Sequence, residues 1–168
     1  GFLTVNKEKM SKSRGTFITA RQYLEHLNPE FLRFYYAAHL SPTLTDIDFD
    51  LQQFKEKVNQ ELIANIANFC YRVLSFAEKN CSGKSGKGAK VGTFHEAANA
   101  DEMVELQRLF VSVQEQYEKM NFKDALKDIL AVSSLGNKYF QQHEPWKLIK
   151  ENPKKTEAVV GFCVHIIK

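Results

Sequence analysis

The sequence predicts a mainly α-helical fold, an antiparallel helix bundle preceded by a small mixed segment of strand, loop and helix. From residue 51 onward, apolar residues recur every three or four positions, which is the spacing of the buried face of a helix. Prolines and short polar stretches interrupt this pattern, as expected for helices joined by turns. We therefore expect two domains, at residues 1–50 and 51–168.

The first domain is predicted to contain one strand and two short helices. Residues 2–5 are of β type and a turn-like Asn6 follows them, so a short strand leads into a loop. Amphipathic stretches at residues 21–27 and 30–39 predict the helices. Pro29 suits the first turn of the second helix, because a backbone N–H has no helical partner there.

An acidic stretch connects these helices to the bundle. Its aspartates occupy alternate positions, Asp46, Asp48 and Asp50. The stretch lacks the glycine and the terminal glutamate of a calcium-binding loop. We predict a solvated connector whose negative charge favours the start of the following helix.

The bundle begins with one long helix, predicted over residues 51–79 and ~45 Å long at a rise of ~1.5 Å per residue. A connector rich in Gly, Ser and Lys follows at residues 81–92. Further helices are predicted at residues 95–119, 122–141, 145–151 and from 156 onward. Pro153 separates the last two.

Composition indicates a folded protein whose charge is local. With 168 residues, 43% hydrophobic content and a net charge of +3, the chain can bury a core and is not disordered by composition. Residues 1–14 carry +3 and residues 79–90 carry +4, so the rest of the chain carries −4. A protein that binds nucleic acid over its whole surface would be more basic. We therefore expect local recognition.

Cysteine and histidine usage excludes several classes of protein. Three cysteines without a CxxC pair argue against a disulfide framework and favour a cytoplasmic location. The five histidines are scattered, so we expect no metal ligands, and no stretch reaches the ~18 apolar residues that span a membrane. The chain starts at Gly1 without a methionine and stops in an apolar stretch at residues 159–167, so we expect truncation at both ends.

The strongest functional signal is the motif KMSKSRGT at residues 9–16. Lys9 and Lys12 lie three positions apart, and Ser11 and Ser13 stand beside them. Lysine offers a compact charge with three N–H donors, serine adds short hydrogen bonds, and glycine lets the backbone bend. The motif therefore predicts a mobile loop that binds phosphate. A solvated basic turn is the alternative for looser patterns of this kind.

A second stretch rich in Gly and Lys, at residues 83–88, looks like a phosphate-binding loop only superficially. The P-loop pattern needs a glycine five residues before its Gly-Lys-Ser, and Glu78 occupies that position. We predict a solvated linker here.

A candidate nucleic-acid site lies in the bundle. Asn68 and Arg72 project from one face of the long helix, because they are four residues apart. Pro145 and Trp146, the only tryptophan, open a later helix. An exposed indole stacks on an unpaired base, and Asn and Arg bind the edge of that base. The alternatives are a tryptophan that anchors the core and a solvated Asn/Arg pair.

These motifs resemble the methionyl-tRNA synthetases, a family of class I aminoacyl-tRNA synthetases. KMSKSRGT is similar to their signature loop, and Thr16 stands where the leucine, isoleucine, valine and cysteine enzymes usually carry Asn. Asn68-x-x-x-Arg72 and Pro145-Trp146 are similar to motifs of the family's anticodon-binding bundle. The resemblance covers essentially the whole chain and implies a helix bundle of the class I anticodon-binding type.

The resemblance also implies an activity for the full-length protein, that of a methionine–tRNA ligase. Such an enzyme activates methionine with ATP and transfers it to tRNA(Met), the initiator tRNA included. Lys9 and Lys12 would be the catalytic lysines that contact the ATP phosphates, with Mg²⁺ accompanying ATP. Ser11 and Ser13 would shape the loop around these phosphates.

In the bundle, the resemblance implies recognition of the CAU anticodon. Trp146, presented by Pro145, would stack on the first anticodon base, while Asn68 and Arg72 read the polar edge of that base. The family's catalytic nucleotide-binding domain and methionine pocket are absent from this chain, so we expect the isolated chain to be inactive.

Two alternatives remain open from the sequence. In the first alternative, the chain is a stand-alone tRNA-binding or protein-interaction bundle with a vestigial KMSKS loop. In the second, it is a fragment of another class I synthetase. The nature of the residues upstream of Gly1 distinguishes the first alternative. Exchange of tRNAs with different anticodons tests the second.

Overall fold

The computed structural model describes residues 1–11, 13, 17–81 and 100–168. Helices predominate in these residues, and a small sheet of three strands lies near the start of the chain, so the predicted fold class is confirmed. The chain forms two compact units by packing, Gly1–Ile63 with Ser112–Lys127 and Ala64–Val111 with Asp128–Lys168. The predicted domain boundary after residue 50 stays a prediction.

The sheet of the first unit has the strand order β2-β1-β3. Strand β1 (Leu3–Val5) pairs antiparallel with β2 (Glu8–Lys9) and parallel with β3 (Ile47–Phe49). The predicted first strand is confirmed, whereas β2 and β3 are additional. The prediction of a solvated connector at residues 46–50 is therefore wrong in part, because Phe49 is buried and Asp48 is half-buried in a strand.

The first unit also contains three short capped helices. They are α1 (Ala20–Leu24), α2 (Pro29–Ala37) and α3 (Leu51–Lys57). Their first backbone N–H groups are satisfied by side chains at the N-cap, those of Thr19, Asn28 and Asp50. Asp50 therefore supplies the helix N-terminal charge that the sequence predicts. Aromatic rings fill the core, where fully buried Tyr35 meets both Phe49 and Phe54 edge to face.

The predicted long helix changes its winding in the middle. A π-helical segment (Val58–Ala67) follows α3, and α4 (Asn68–Asn80) follows that segment. The helical prediction over residues 51–79 is confirmed, but the expectation of uniform α-helix was wrong. The apolar residues Val58, Leu62 and Ile66 of this segment are four positions apart, a spacing that is also found in α-helices, so the sequence pattern did not reveal the π-helical winding.

The second unit is wholly helical in the part that the structure describes. Besides α4 it draws on α5 (Ala100–Glu118), α6 (Phe122–His143), α7 (Pro145–Glu151) and α8 (Pro153–Ile167). The predicted helices thus exist with bounds shifted by a few residues, and the predicted start at residues 95–99 lies outside the described residues. Its core contains Phe69, Val73, Leu106, Leu109, Val132, Tyr139, Phe140, Val159, Phe162, Cys163 and Ile166.

Candidate functional site

A tight hairpin leads into the KMSKS segment. Val5 pairs with Glu8, so the turn between β1 and β2 has only two central residues, Asn6 and Lys7. Both have positive φ, 49° and 65°, as in the type I′ turns that suit hairpin twist. Asparagine tolerates this backbone region, but lysine adopts it rarely. The turn at Lys7 therefore needs support from its surroundings.

Asp48 of β3 supplies that support. Its Oδ1 accepts hydrogen bonds from the backbone N–H of Lys7 at 2.7 Å and from the hydroxyl of Thr4 at 2.5 Å. The Thr4 hydroxyl and, next, the Lys7 amide stabilise the charged carboxylate and hold the pKa of Asp48 below its ordinary value of 3.8. Neither Thr4 nor Asp48 was a candidate from the sequence, because their contact joins segments 44 residues apart.

The predicted phosphate-binding residues begin on this hairpin. Lys9 ends β2 with an exposed side chain, opposite Thr4 in the sheet. Ser11 is half-buried, and its Oγ lies 3.0 Å from the Oγ of exposed Ser13. Lys12, with residues 14–16, lies outside the described residues, so its predicted phosphate contact has no geometry here.

The second set of predicted residues lies in the helical unit. Asn68 is the exposed first residue of α4, and Arg72 follows one turn later. The Arg72 Nη2 donates a hydrogen bond to Oε1 of Gln141 at 2.7 Å. Its guanidinium carbon lies over the ring of Phe140, 5.5 Å from the ring centroid, which is within the range of a cation–π interaction.

Trp146 lies on the other side of a sharp turn. Glu144 has the left-handed backbone angle φ 41°, which separates α6 from α7, and Pro145 takes the first helical position with its side chain buried. The Trp146 side chain is 37% exposed, so the indole is not enclosed in the core. Its ring centroid lies 6.1 Å from that of Phe140, with the planes tilted by 60°.

Phe140 and Gln141 were missed by the sequence reasoning. Phe140 is 2% exposed and continues the apolar pattern of its helix, so the sequence marks it only as a core residue. Gln141 is an exposed polar residue next to it, without any distinguishing motif. The structure brings both into contact with Arg72, and Phe140 also contacts Trp146. The site therefore extends onto α6.

The residues that the structure describes include neither a metal-binding cluster nor a membrane-spanning helix. Within them, no three His, Cys, Asp or Glu side chains are grouped to hold a metal ion. No helix of this described part combines the length and the apolar character needed to cross a membrane.

Comparison with known families places these sites in context. Residues 1–74 match the family described as tRNA synthetases class I (M), which contains the KMSKS segment. Residues 88–168 match the family described as the anticodon binding domain of methionyl tRNA ligase, which contains Pro145 and Trp146. The fold and the two matches together identify a part of a class I aminoacyl-tRNA synthetase. The chain belongs to the methionyl-tRNA synthetase family.

Individual relatives agree with this assignment. The methionine–tRNA ligase of Bdellovibrio bacteriovorus is 39% identical over 168 residues, which are all of this chain and 23% of that protein. Mycobacterium tuberculosis methionyl-tRNA synthetase in complex with methionyl-adenylate has the same fold over 99% of this chain and 33% of its own, with a TM-score of 0.84 and 23% identity. Its apo form matches 89% of this chain and 30% of its own with a TM-score of 0.73 and 19% identity.

The chain therefore spans about a quarter of the length of the Bdellovibrio bacteriovorus protein. A stand-alone bundle with a vestigial loop is not favoured, because the class I match covers the motif together with the helices that follow it.

Proposed function

We propose that this chain is the part of a methionyl-tRNA synthetase that supplies the KMSKS loop and reads the CAU anticodon. The full-length protein would join methionine to ATP as methionyl-adenylate and transfer the amino acid to tRNA(Met), the initiator tRNA included. The observation that carries the proposal is that Arg72 and the partly exposed Trp146 both contact Phe140 of α6, in a chain of this family. We place this enzyme in the cytoplasm.

At the anticodon, one group of this site would stack on the first base and other groups would bind the polar edge of that base. The indole of Trp146 offers a flat surface to the first base, and every base has a face that can stack. A guanidinium has five N–H donors, and Gln141 engages Arg72 through one nitrogen. Further Arg72 donors and the Asn68 amide would bind the oxygen and ring nitrogen of cytosine. Pro145 fixes the backbone that presents the indole.

In the KMSKS loop, the two lysines would stabilise the negative charge that develops on the ATP phosphates during the reaction. The methionine carboxylate attacks the α-phosphate, the bond to the leaving pyrophosphate breaks, and negative charge grows on the oxygens of that group. Lys9 and Lys12 on a closing loop would stabilise this charge more in the transition state than in the ground state. Ser11 and Ser13 would keep the loop in shape, as their 3.0 Å contact suggests. Mg²⁺ would arrive with the ATP phosphates.

Binding of short RNAs tests the anticodon proposal with this chain alone. Titration with an RNA stem-loop carrying CAU is compared with the same stem-loop carrying GAU, in which only the first anticodon base differs. We expect weaker binding of the GAU form by ~1–3 kcal/mol, as for loss of one base-specific contact set. Equal affinity for the two RNAs would contradict recognition of the first base.

The catalytic proposal is tested separately, in the full-length enzyme. Lys12→Ala should lower the rate of methionine-dependent ATP–pyrophosphate exchange and leave the KM for methionine unchanged, because the lysine acts on phosphate. The isolated chain should show no exchange at all. ATP–pyrophosphate exchange by the pure chain would contradict the proposal that catalysis needs parts of the enzyme outside this chain.

A further inference from the structure

One aromatic ring contacts several groups of the candidate anticodon site. Phe140 of α6 is 2% exposed, and the guanidinium of Arg72 lies over its ring at 5.5 Å. The Trp146 indole lies 6.1 Å from the same ring centroid. From the core side, Phe76 meets the ring edge to face at 5.9 Å. The ring of Phe140 therefore contacts Phe76 as well as both Arg72 and Trp146 of the candidate site.

We propose that Phe140 is a positioning residue for anticodon recognition, which holds Arg72 and Trp146 in their reading geometry before RNA arrives. This inference rests on the proposed anticodon-binding function. Phe140 itself is too deeply buried to contact a base, so it acts through the other two side chains.

The chemistry of the ring explains why an aromatic residue is needed. The face of a phenyl ring carries partial negative charge, which attracts a guanidinium, whereas an aliphatic side chain of similar volume offers no such face. Arginine has a long, flexible side chain, and the hydrogen bond to Gln141 fixes only one of its nitrogens. The Phe140 ring adds a second point of attachment for Arg72.

The indole needs the ring for a different reason. Trp146 is 37% exposed at the start of a seven-residue helix, and the tilted contact with Phe140 restrains its plane. A stacking surface that is already oriented loses less conformational freedom when a base binds. The single ring thus orders the edge-reading and the stacking group together.

Trp146 reports on this arrangement directly, because it is the only tryptophan of the chain. The experiment compares wild type with Phe140→Leu and measures the anisotropy and the acrylamide quenching of tryptophan fluorescence, together with the dissociation constant for the CAU stem-loop. Phe162→Leu is the matched control. Phe162 belongs to the same core and is fully buried, but its ring contacts Tyr139.

We expect Phe140→Leu to lower the anisotropy, raise the quenching and weaken CAU binding by about 10-fold, part of the contribution of a stacked base. Phe162→Leu should leave the tryptophan signals and the affinity near those of wild type, although it lowers the melting temperature. If the Phe140 variant matches the Phe162 variant in tryptophan signals, or binds CAU as tightly as wild type, the positioning role is overturned.

Failure of the proposed function gives a different result. If wild type does not distinguish CAU from GAU, anticodon recognition fails whatever the fluorescence shows, and the positioning role fails with it. If Phe140→Leu does not fold, as judged by circular dichroism, Phe140→Met takes its place, because the flexible methionine side chain adapts to an irregular core space and has no ring. The fluorescence and binding results expected for Phe140→Leu then apply to Phe140→Met, and the same contrary results overturn the positioning role.

Discussion

The carboxylate of Asp48 accepts a hydrogen bond of 2.7 Å from the backbone N–H of Lys7, at a turn position with a left-handed backbone. This bond ties the hairpin that carries Lys9 to a strand 41 residues further along the chain. The position of the KMSKS segment thus depends on an acid outside the motif. Asp48 is part of the scaffold that brings the first lysine to its place.

Removal of the Asp48 carboxylate should loosen this turn. In Asp48→Ala we expect faster hydrogen exchange of the Lys7 amide, because that N–H loses its acceptor while the strained backbone remains. Asp46→Ala is the matched control, since Asp46 accepts a 2.7 Å bond from the N–H of Phe2 and leaves the turn itself intact. Amide exchange measured by NMR checks this. Unchanged exchange at Lys7 would show that the turn holds without Asp48.

Gln141 should contribute to RNA binding through Arg72. Gln141→Ala removes the acceptor that lies 2.7 Å from the Arg72 Nη2, so the guanidinium must be ordered when RNA binds. We expect CAU affinity to fall by ~0.5–1.5 kcal/mol, the net contribution of one hydrogen bond. Titration calorimetry measures this, with Gln142→Ala, an exposed neighbour on the same helix, as the control. Equal losses in both variants would speak against a specific role for Gln141.

Gly136 of α6 should not tolerate a larger side chain. A Cβ at this position would lie 2.3 Å from the ring of Phe69, which is buried in the core next to Asn68. Overpacking of this kind costs ~1–3 kcal/mol, more than the ~1 kcal/mol that alanine contributes as a helix former. Urea denaturation of Gly136→Ala should therefore show lower stability, and Phe69→Leu in the same chain should recover part of the loss. A variant as stable as wild type would mean that the ring moves freely.

His143 should make the stability of the chain depend on pH. Burial lowers the pKa of His143 below its ordinary value of 6.5. The negative charge of Glu102 has a smaller, raising effect on this pKa, and the positive charge of Lys155 lowers it further. The Tyr139 ring packs against the imidazole, with the two ring centroids 4.2 Å apart. Between the lowered pKa of the folded state and pH 6.5, the unfolded chain therefore binds a proton that the folded chain does not, so stability falls as the pH is lowered through this window.

Replacement of this histidine removes the titration. Urea denaturation of wild type and His143→Gln between about pH 5 and 7.5, on either side of the ordinary histidine pKa, should show a smaller decline at acid pH for the variant. A parallel pH dependence in the two proteins would contradict the assignment to His143.

The sequence predicted the helical part of the fold well and the sheet poorly, for physical reasons. Helix α7 has the predicted bounds, because Pro145 sets its start and the apolar spacing sets its length. Strands β2 and β3 are two and three residues long, too short for an alternating pattern, and Asp48 is a residue type depleted in strands. Its place in the sheet depends on Thr4 and Lys7, which are distant in sequence.

The residues of the candidate site were likewise predictable from the sequence only in part. Residue type and spacing singled out Asn68, Arg72 and Trp146. The ring of Phe140 that two of them share comes from another helix, and a buried phenylalanine is ordinary in a helix of this kind. Only the packed structure distinguishes it from the rest of the core.

The most direct test of the account is the affinity of this chain for the CAU stem-loop with and without the Trp146 indole. Phe110→Ala is the control, because Phe110 is an aromatic residue of the same unit with similar exposure, 43% against 37% for Trp146. We predict that Trp146→Ala weakens CAU binding by ~1–3 kcal/mol, the contribution of one stacked base, while Phe110→Ala binds as wild type does. Wild-type affinity in the Trp146 variant would contradict anticodon recognition at this site.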